Sequence, residues 1–155
     1  MRVLLKLVLD CTPDAAWRAL TSPAVFRRVS APFLGFESLE RDGFPEQWSQ
    51  GRHALEARAF DLVPIGEQTV DLAFLRKGDA RIVRDTGRGV SGPLTFIDRW
   101  EHSMAVSPAA NGKTLYRDQL VFSAAPASAA LWPFYWAFWQ WRGSRIRSLS
   151  SEWTA

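Results

Sequence analysis

Apolar and polar positions alternate from the start of the chain. Val3, Leu5, Leu7 and Leu9 alternate with a set that includes Lys6 and Asp10, a pattern that predicts a first strand. Thr12-Pro13-Asp14 then supplies a cap, a first-turn proline and an acid that complements the helix dipole, so a short helix carrying Trp17 and Leu20 on one face is predicted. Ser22-Pro23 opens a second short helix to about Val29, and Pro32 ends it. The middle reads as strand and turn. Strands are predicted at about Leu34 to Glu40, Arg52 to Phe60, Gln68 to Arg76, Ala80 to Arg88, Leu94 to Val106 and Lys113 to Ala124. Turns are predicted at Asp42-Gly43, Pro64-Ile65-Gly66, Lys77-Gly78-Asp79, the glycines at 87, 89 and 92, and Asn111-Gly112.

The last hairpin has a definite register. Trp100, His102, Met104 and Val106 make the apolar face of one strand, and Tyr116, Asp118, Leu120 and Phe122 that of the next. Arg99, Glu101 and Ser103 match Arg117, Gln119 and Ser123 as the wet face. Only a loop with an odd residue count, or a bulge, brings the two apolar faces together, because a one-residue slip turns a strand over. The expectation is therefore that His102 and Asp118 point inward. A long helix follows from about Ala127 to Ser150, with Pro133 in its first turn or at a kink. Leu131, Tyr135, Phe138, Arg142, Ile146 and Leu149 share one face. Phe134, Trp139 and Trp141 flank it, and Gln140, Ser144, Arg147 and Ser148 lie opposite.

Composition narrows the classes. The 155 residues suffice for one domain with a core, and no repeat or linker divides them, so 1–155 reads as a single domain. Hydrophobic residues are 47% and charged residues 23%, a globular balance. A net charge of +3, with the basic residues scattered apart from one cluster at Arg142, Arg145 and Arg147, argues against a nucleic-acid binder. The single cysteine, Cys11, forms no internal disulfide, and the charge-interrupted N-terminus is no signal peptide, so a cytoplasmic location is expected. Gln119 to Trp141 carries no charge, but Pro126, Pro133, the strand-like alternation and the Ala, Ser and Trp content argue against a membrane span.

Strand, two short helices, six strands and a long helix: this order resembles the START/polyketide-cyclase-like superfamily (SRPBCC, helix-grip). Thr12-Pro13 with Trp17 looks like its opening helix. "FIDRWEHSMAV" followed by "TLYRDQLVF" resembles a branch that reads W-x-H-x-H-x-F, then D-x-V-x-Y; here Met104 replaces the second histidine and Phe122 the tyrosine. The branch's glutamine and glycine-proline ahead of the tryptophan are missing as well. The resemblance implies an α+β fold, a seven-stranded curved antiparallel sheet around the long C-terminal helix, and a pocket, but no fixed catalytic residue.

The candidate site follows from the inward faces. His53, Phe74, Trp100, His102, Met104, Leu120, Tyr135, Phe138 and Arg142 are the candidate ligand-binding residues, with Arg145 a weaker candidate. Pockets for small molecules are mostly apolar and typically about 300–1,000 Å³. Arg142 falls on the apolar face, where a guanidinium requires a partner, Asp118 or an anionic ligand, unless it reaches the helix end. His102 and Asp118 are a candidate acid–base pair, although mutual structural support is the more frequent use of such a pair. Two histidines and one distant cysteine make no metal site, and no cofactor motif is present. Three functions are therefore carried forward. The first is binding of a hydrophobic small molecule, a lipid or an aromatic polyketide-like compound. The second is a cyclase, aromatase or hydrolase-like enzyme using His102 and Asp118. The third is an interaction module docking through the aromatic helix, where Trp132 and Trp136 would face a ligand mouth, a membrane surface or a second copy in a homodimer.

Overall fold

The computed structural model describes residues 1–153. The chain runs β1 (Arg2–Leu9), α1 (Pro13–Leu20), α2 (Pro23–Ser30), β2 (Leu34–Ser38), β3 (Gly51–Ala59), β4 (Val63–Lys77), β5 (Ala80–Asp85), β6 (Arg88–Gly89), β7 (Arg99–Pro108), β8 (Thr114–Ser123) and α3 (Ser128–Ser150). Seven strands form one antiparallel path, β1-β8-β7-β5-β4-β3-β2, and β6 pairs with β4 beside it. This is the expected α+β helix-grip architecture with one further short strand. That strand is part of the same stretch read from the sequence. β5 and β6 hold one register against β4, Leu72↔Asp85 and Gln68↔Gly89, with the chain interrupted at Thr86-Gly87.

The caps work as their residue types require. Thr12 Oγ1 accepts from the Ala15 N–H at 3.3 Å and Ser22 Oγ from the Val25 N–H at 3.5 Å, with a proline in the first turn of each helix. α3 lies across β1, and Gly143 permits this, because a Cβ there would stand 2.5 Å from Leu5 Cδ2. Pro133 sits inside α3 rather than in its first turn.

The β7–β8 register is the expected one. Trp100 opposes Phe122, His102 opposes Leu120, Met104 opposes Asp118 and Val106 opposes Tyr116. The five residues between Pro108 and Thr114 form an odd-count loop, in which Asn111 (φ 59°) and Gly112 (φ 71°) take the left-handed backbone those residue types tolerate.

Two local expectations are corrected. Pro64-Ile65-Gly66 is not a turn but the start of β4, with Ile65 bulged opposite the Ala57/Arg58 step of β3. The turn lies earlier, at Phe60 and Asp61, both in the left-handed region. The alternation of β4 could not show this, because a bulge reverses which face each residue takes. Residues 94–98 are not strand either: Gly92–Phe96 is a 3₁₀ turn started by Gly92-Pro93, and the strand begins at Arg99.

Among the described residues, no helix is long and apolar enough to cross a membrane.

Candidate ligand cavity and its buried polar cluster

Between the concave sheet, α2 and α3 lies a cavity of about 160 Å³. The even-numbered residues of β7, one face of the hairpin, supply Trp100, His102 and Met104 to its wall. α3 supplies Tyr135, Phe138, Trp139, Arg142 and Ile146 at spacings of one helical turn. The short helices, for which the sequence predicted a Trp17–Leu20 face but no place in the pocket, contribute Leu20, Val25, Phe26 and Val29. Their signal was present in the spacing of Val25, Phe26 and Val29, an apolar stripe with no other obvious target. Wall residues such as Leu20, Trp48, Met104 and Ile146 are buried. Leu34, Ile65, Leu94, Ile97 and Tyr135 are half-exposed and mark the mouth. The cavity is smaller than the about 300–1,000 Å³ usual for small-molecule pockets, and three large rings, Phe36, Trp48 and Trp139, are on its wall.

Of the nine candidate binding residues, six stand on this wall: Trp100, His102, Met104, Tyr135, Phe138 and Arg142. Three do not. Phe74 turns toward α1 and packs edge-on against Trp17 at 5.4 Å. Leu120 is fully buried in a separate cluster with Val3, Phe122, Phe138 and Trp139. His53 packs against Trp48, with Nε2 2.9 Å from the Ser49 carbonyl and Nδ1 3.3 Å from Glu40 without hydrogen-bond alignment. Alternation placed these three on the inward face correctly, but the inward face of a large sheet is wider than one cavity. Arg145 is half-buried and lies over Trp141, 6.0 Å from the ring centre.

Behind the wall is a polar cluster centred on Asp118, 2% exposed. Its Oδ1 is 2.8 Å from His102 Nε2 and accepts from Trp139 Nε1 at 3.0 Å; its Oδ2 accepts from the Tyr116 hydroxyl at 2.6 Å. Arg142 Nη1 stands 3.7 Å from Oδ2, a charge contact rather than a hydrogen bond. Burial alone would push the Asp118 carboxyl up. His102, Arg142 and the Tyr116 hydroxyl outweigh it and hold the pKa at about 2. Burial first, and the Asp118 charge second, push the Tyr116 hydroxyl well above its ordinary value. Trp139 was read as a flank residue; its indole donor closes the cluster, and nothing in the helical pattern distinguishes it from its aromatic neighbours.

Asp85, not singled out from the sequence, also lies on the wall. It opposes His102 across the β5–β7 pairing, and its Oδ1 accepts from the Asp71 and Gly87 N–H groups at 2.9 and 2.8 Å. Trp100 Nε1 donates to Oδ2 at 3.2 Å. Burial raises its pKa, and those donors and His102 oppose the rise. The sequence signal was the Asp85-Thr86-Gly87 break, where a carboxylate is available to cap an interrupted strand. Among the described residues, no group of three His, Cys, Asp or Glu side chains is placed to hold a metal ion.

The aromatics at the start of α3 divide by environment. Trp132 is half-buried, and its indole donates to the Arg2 carbonyl at 3.0 Å. Phe134 and Trp136 are 61% and 47% exposed. Trp141 packs edge-on against the exposed Phe33 at 5.3 Å.

No protein-family model matches the sequence, and no curated protein matches it. Solved structures do. Protein CV1439 from Chromobacterium violaceum superposes with a TM-score of 0.66 at 18% identity, over 97% of this chain and 96% of that one. The di-domain ARO/CYC BexL from the BE-7585A biosynthetic pathway gives 0.65 at 14% identity, over 98% of this chain and 46% of that one. Truncated norcoclaurine synthase from Thalictrum flavum gives 0.65 at 11% identity, over 99% and 95%. At these identities the likeness is one of fold: a curved antiparallel sheet gripping a long C-terminal helix.

Proposed function

We propose that this helix-grip chain binds a hydrophobic small molecule in the cavity between the sheet and α3. The cavity itself carries the reading. By the scaling seen for sealed voids, an unfilled space of this size forfeits at most roughly 4 kcal/mol of packing, and the mouth lowers that. That upper figure is a large share of the about 5–15 kcal/mol that holds a typical domain folded. A ligand restores those contacts. The wall is built for it, with Phe26, Trp48, Trp100 and Phe138 offering ring faces and edges. Two structures of the same fold carry the names of small-molecule biosynthetic proteins, an ARO/CYC and a synthase, which supports the reading at the level of the pocket.

Ethylbenzene, a neutral single-ring probe, tests it. Titration should change tryptophan fluorescence saturably, since Trp48, Trp100 and Trp139 all line the space. Ala57→Leu, which places an isobutyl group into the cavity from a fully buried wall position, should abolish that response without lowering the melting temperature. A non-saturable response, or one that Ala57→Leu leaves intact, overturns the reading.

A catalytic reading has one observation in its favour: His102 is on the wall with a carboxylate behind it. Asp118 does not reach the cavity wall, so it would orient His102 rather than meet substrate. For a catalyst, His102→Gln should lower turnover by about 10²-fold or more while affinity barely moves. An interaction role for α3 rests on the exposure of Phe134 and Trp136. A homodimer through that face should dissociate in a Phe134→Ser/Trp136→Ser double variant. Light scattering that reads monomer for the unaltered chain at every concentration removes this role.

A further inference from the structure

The ring-lined cavity contains one group that an apolar ligand does not explain. Arg142, a cationic side chain, is 5% exposed and stands on the wall. A guanidinium offers five N–H donors and normally receives a carboxylate fork when buried. Here it does not. Nη1 lies 3.7 Å from Asp118 Oδ2, beyond hydrogen-bond length. Nη2 reaches only the Met104 thioether at 3.8 Å, a weak acceptor. Nε is buried with no partner. The rest of the group's surroundings is the Trp139 ring, 5.2 Å from Cζ to centroid.

Asp118 cannot rotate to serve it. Its two oxygens are held by His102, Trp139 and Tyr116 at 2.6–3.0 Å, and giving up any of these would leave a buried donor unmatched. Asp85, the other carboxylate on the wall, is held by two backbone N–H groups and the Trp100 indole. Among the described residues, no oxygen accepts a hydrogen bond from the Arg142 guanidinium. The missing acceptor must come from outside the chain.

We infer that the ligand is a small aromatic acid, a molecule of about one ring whose carboxylate is received by Arg142 while its ring fills the aromatic part of the cavity. Size sets the first half of this statement. A cavity near 150 Å³ accommodates a benzene-sized molecule, and this one measures about 160 Å³. A multi-ring polyketide or a two-chain lipid exceeds this space and would have to protrude through the mouth. The donor deficit at Arg142 sets the second half. The inference rests on the small-molecule reading above and narrows it to a charge class.

Three probes that share a phenylethyl group separate the two: 3-phenylpropionate, its isosteric amide 3-phenylpropanamide, and ethylbenzene, each titrated by tryptophan fluorescence and calorimetry. The acid is expected to bind at least about tenfold more tightly than the amide, as a charge-assisted bond to a desolvated guanidinium requires. Arg142→Met should abolish that preference while still binding ethylbenzene, and Arg142→Lys should keep part of it. Equal binding of acid and amide by the unaltered protein overturns the inference and leaves the small-molecule reading standing. Binding of none of the three overturns both. If Arg142→Met fails to fold, because Asp118 and His102 lose a neighbour, the acid-to-amide ratio of the unaltered protein decides alone. An acid preference that survives in a folded Arg142→Met variant also overturns the assignment.

Discussion

Asp118 shows how a carboxylate becomes tolerable inside an apolar wall. Three short donors and one more distant guanidinium stabilise its charged form more than burial opposes it. The group titrates at about 2 in the folded chain against an ordinary 3.8, so it supplies stability that is complete above pH 4 and lost as the pH falls toward 2. The difference corresponds to roughly 2 kcal/mol. Asp85 has the opposite sign: burial raises its pKa, so the cost of its charge is relieved as the solution becomes mildly acidic. The melting temperature is therefore expected to hold or rise slightly on mild acidification and to drop below pH 4. In Asp118→Asn the drop should shrink, from a lower plateau at pH 7. A profile for Asp118→Asn that parallels the unaltered protein below pH 4 would contradict this account.

At the scale of elements, the β7–β8 hairpin and the β4 bulge decide where the cavity lies. Gly112 takes φ 71° in an open loop, where an added Cβ would have nothing within 4 Å, so Gly112→Ala meets only backbone strain, about 1 kcal/mol. Gly66 is different. It has φ 139°, and an added Cβ would strike the Ser91 carbonyl. That contact joins the β4 bulge to the 3₁₀ turn bearing Leu94, and both flank the mouth. Gly66→Ala is expected to cost roughly 2 kcal/mol or more, since strain and overlap combine, and to weaken probe binding as well. Urea midpoints of the two variants provide the comparison: a Gly66→Ala protein no less stable than Gly112→Ala would show that the turn is not pinned there.

Taken as a whole molecule, a chain with an unfilled cavity open at one mouth should respond strongly to a ligand that fills it. Saturation at about 100 times Kd adds roughly 2.7 kcal/mol to the folded state. For a domain of this length that moves the melting temperature by about 5–10 °C. Phe138→Ala, which removes one ring from the wall, should reduce affinity by roughly 1–3 kcal/mol and with it the shift. A ligand that binds by fluorescence but leaves the melting temperature of the unaltered chain unchanged would place its site on the surface instead.

Period and punctuation determined much of this protein from the sequence alone. The two-residue alternation gave His102, Asp118 and Leu120 their face, the odd loop around Asn111-Gly112 brought the two faces together, and the helical spacing of Phe138, Arg142 and Ile146 turned them toward the sheet. Local rules suffice there because neighbouring residues constrain one another directly. The tertiary structure alone decided the rest. Which inward residues meet a cavity depends on the whole curved sheet, so Phe74, Leu120 and His53 fell to other parts of the interior. Ile65 could be seen as a bulge only once β3 lay beside β4. Trp139 and Asp85 entered the site through partners 21 and 15 residues away along the chain, Asp118 and Trp100. The unmatched guanidinium of Arg142 is of the same kind. A donor lacks an acceptor only relative to everything packed around it, and no stretch of sequence records that.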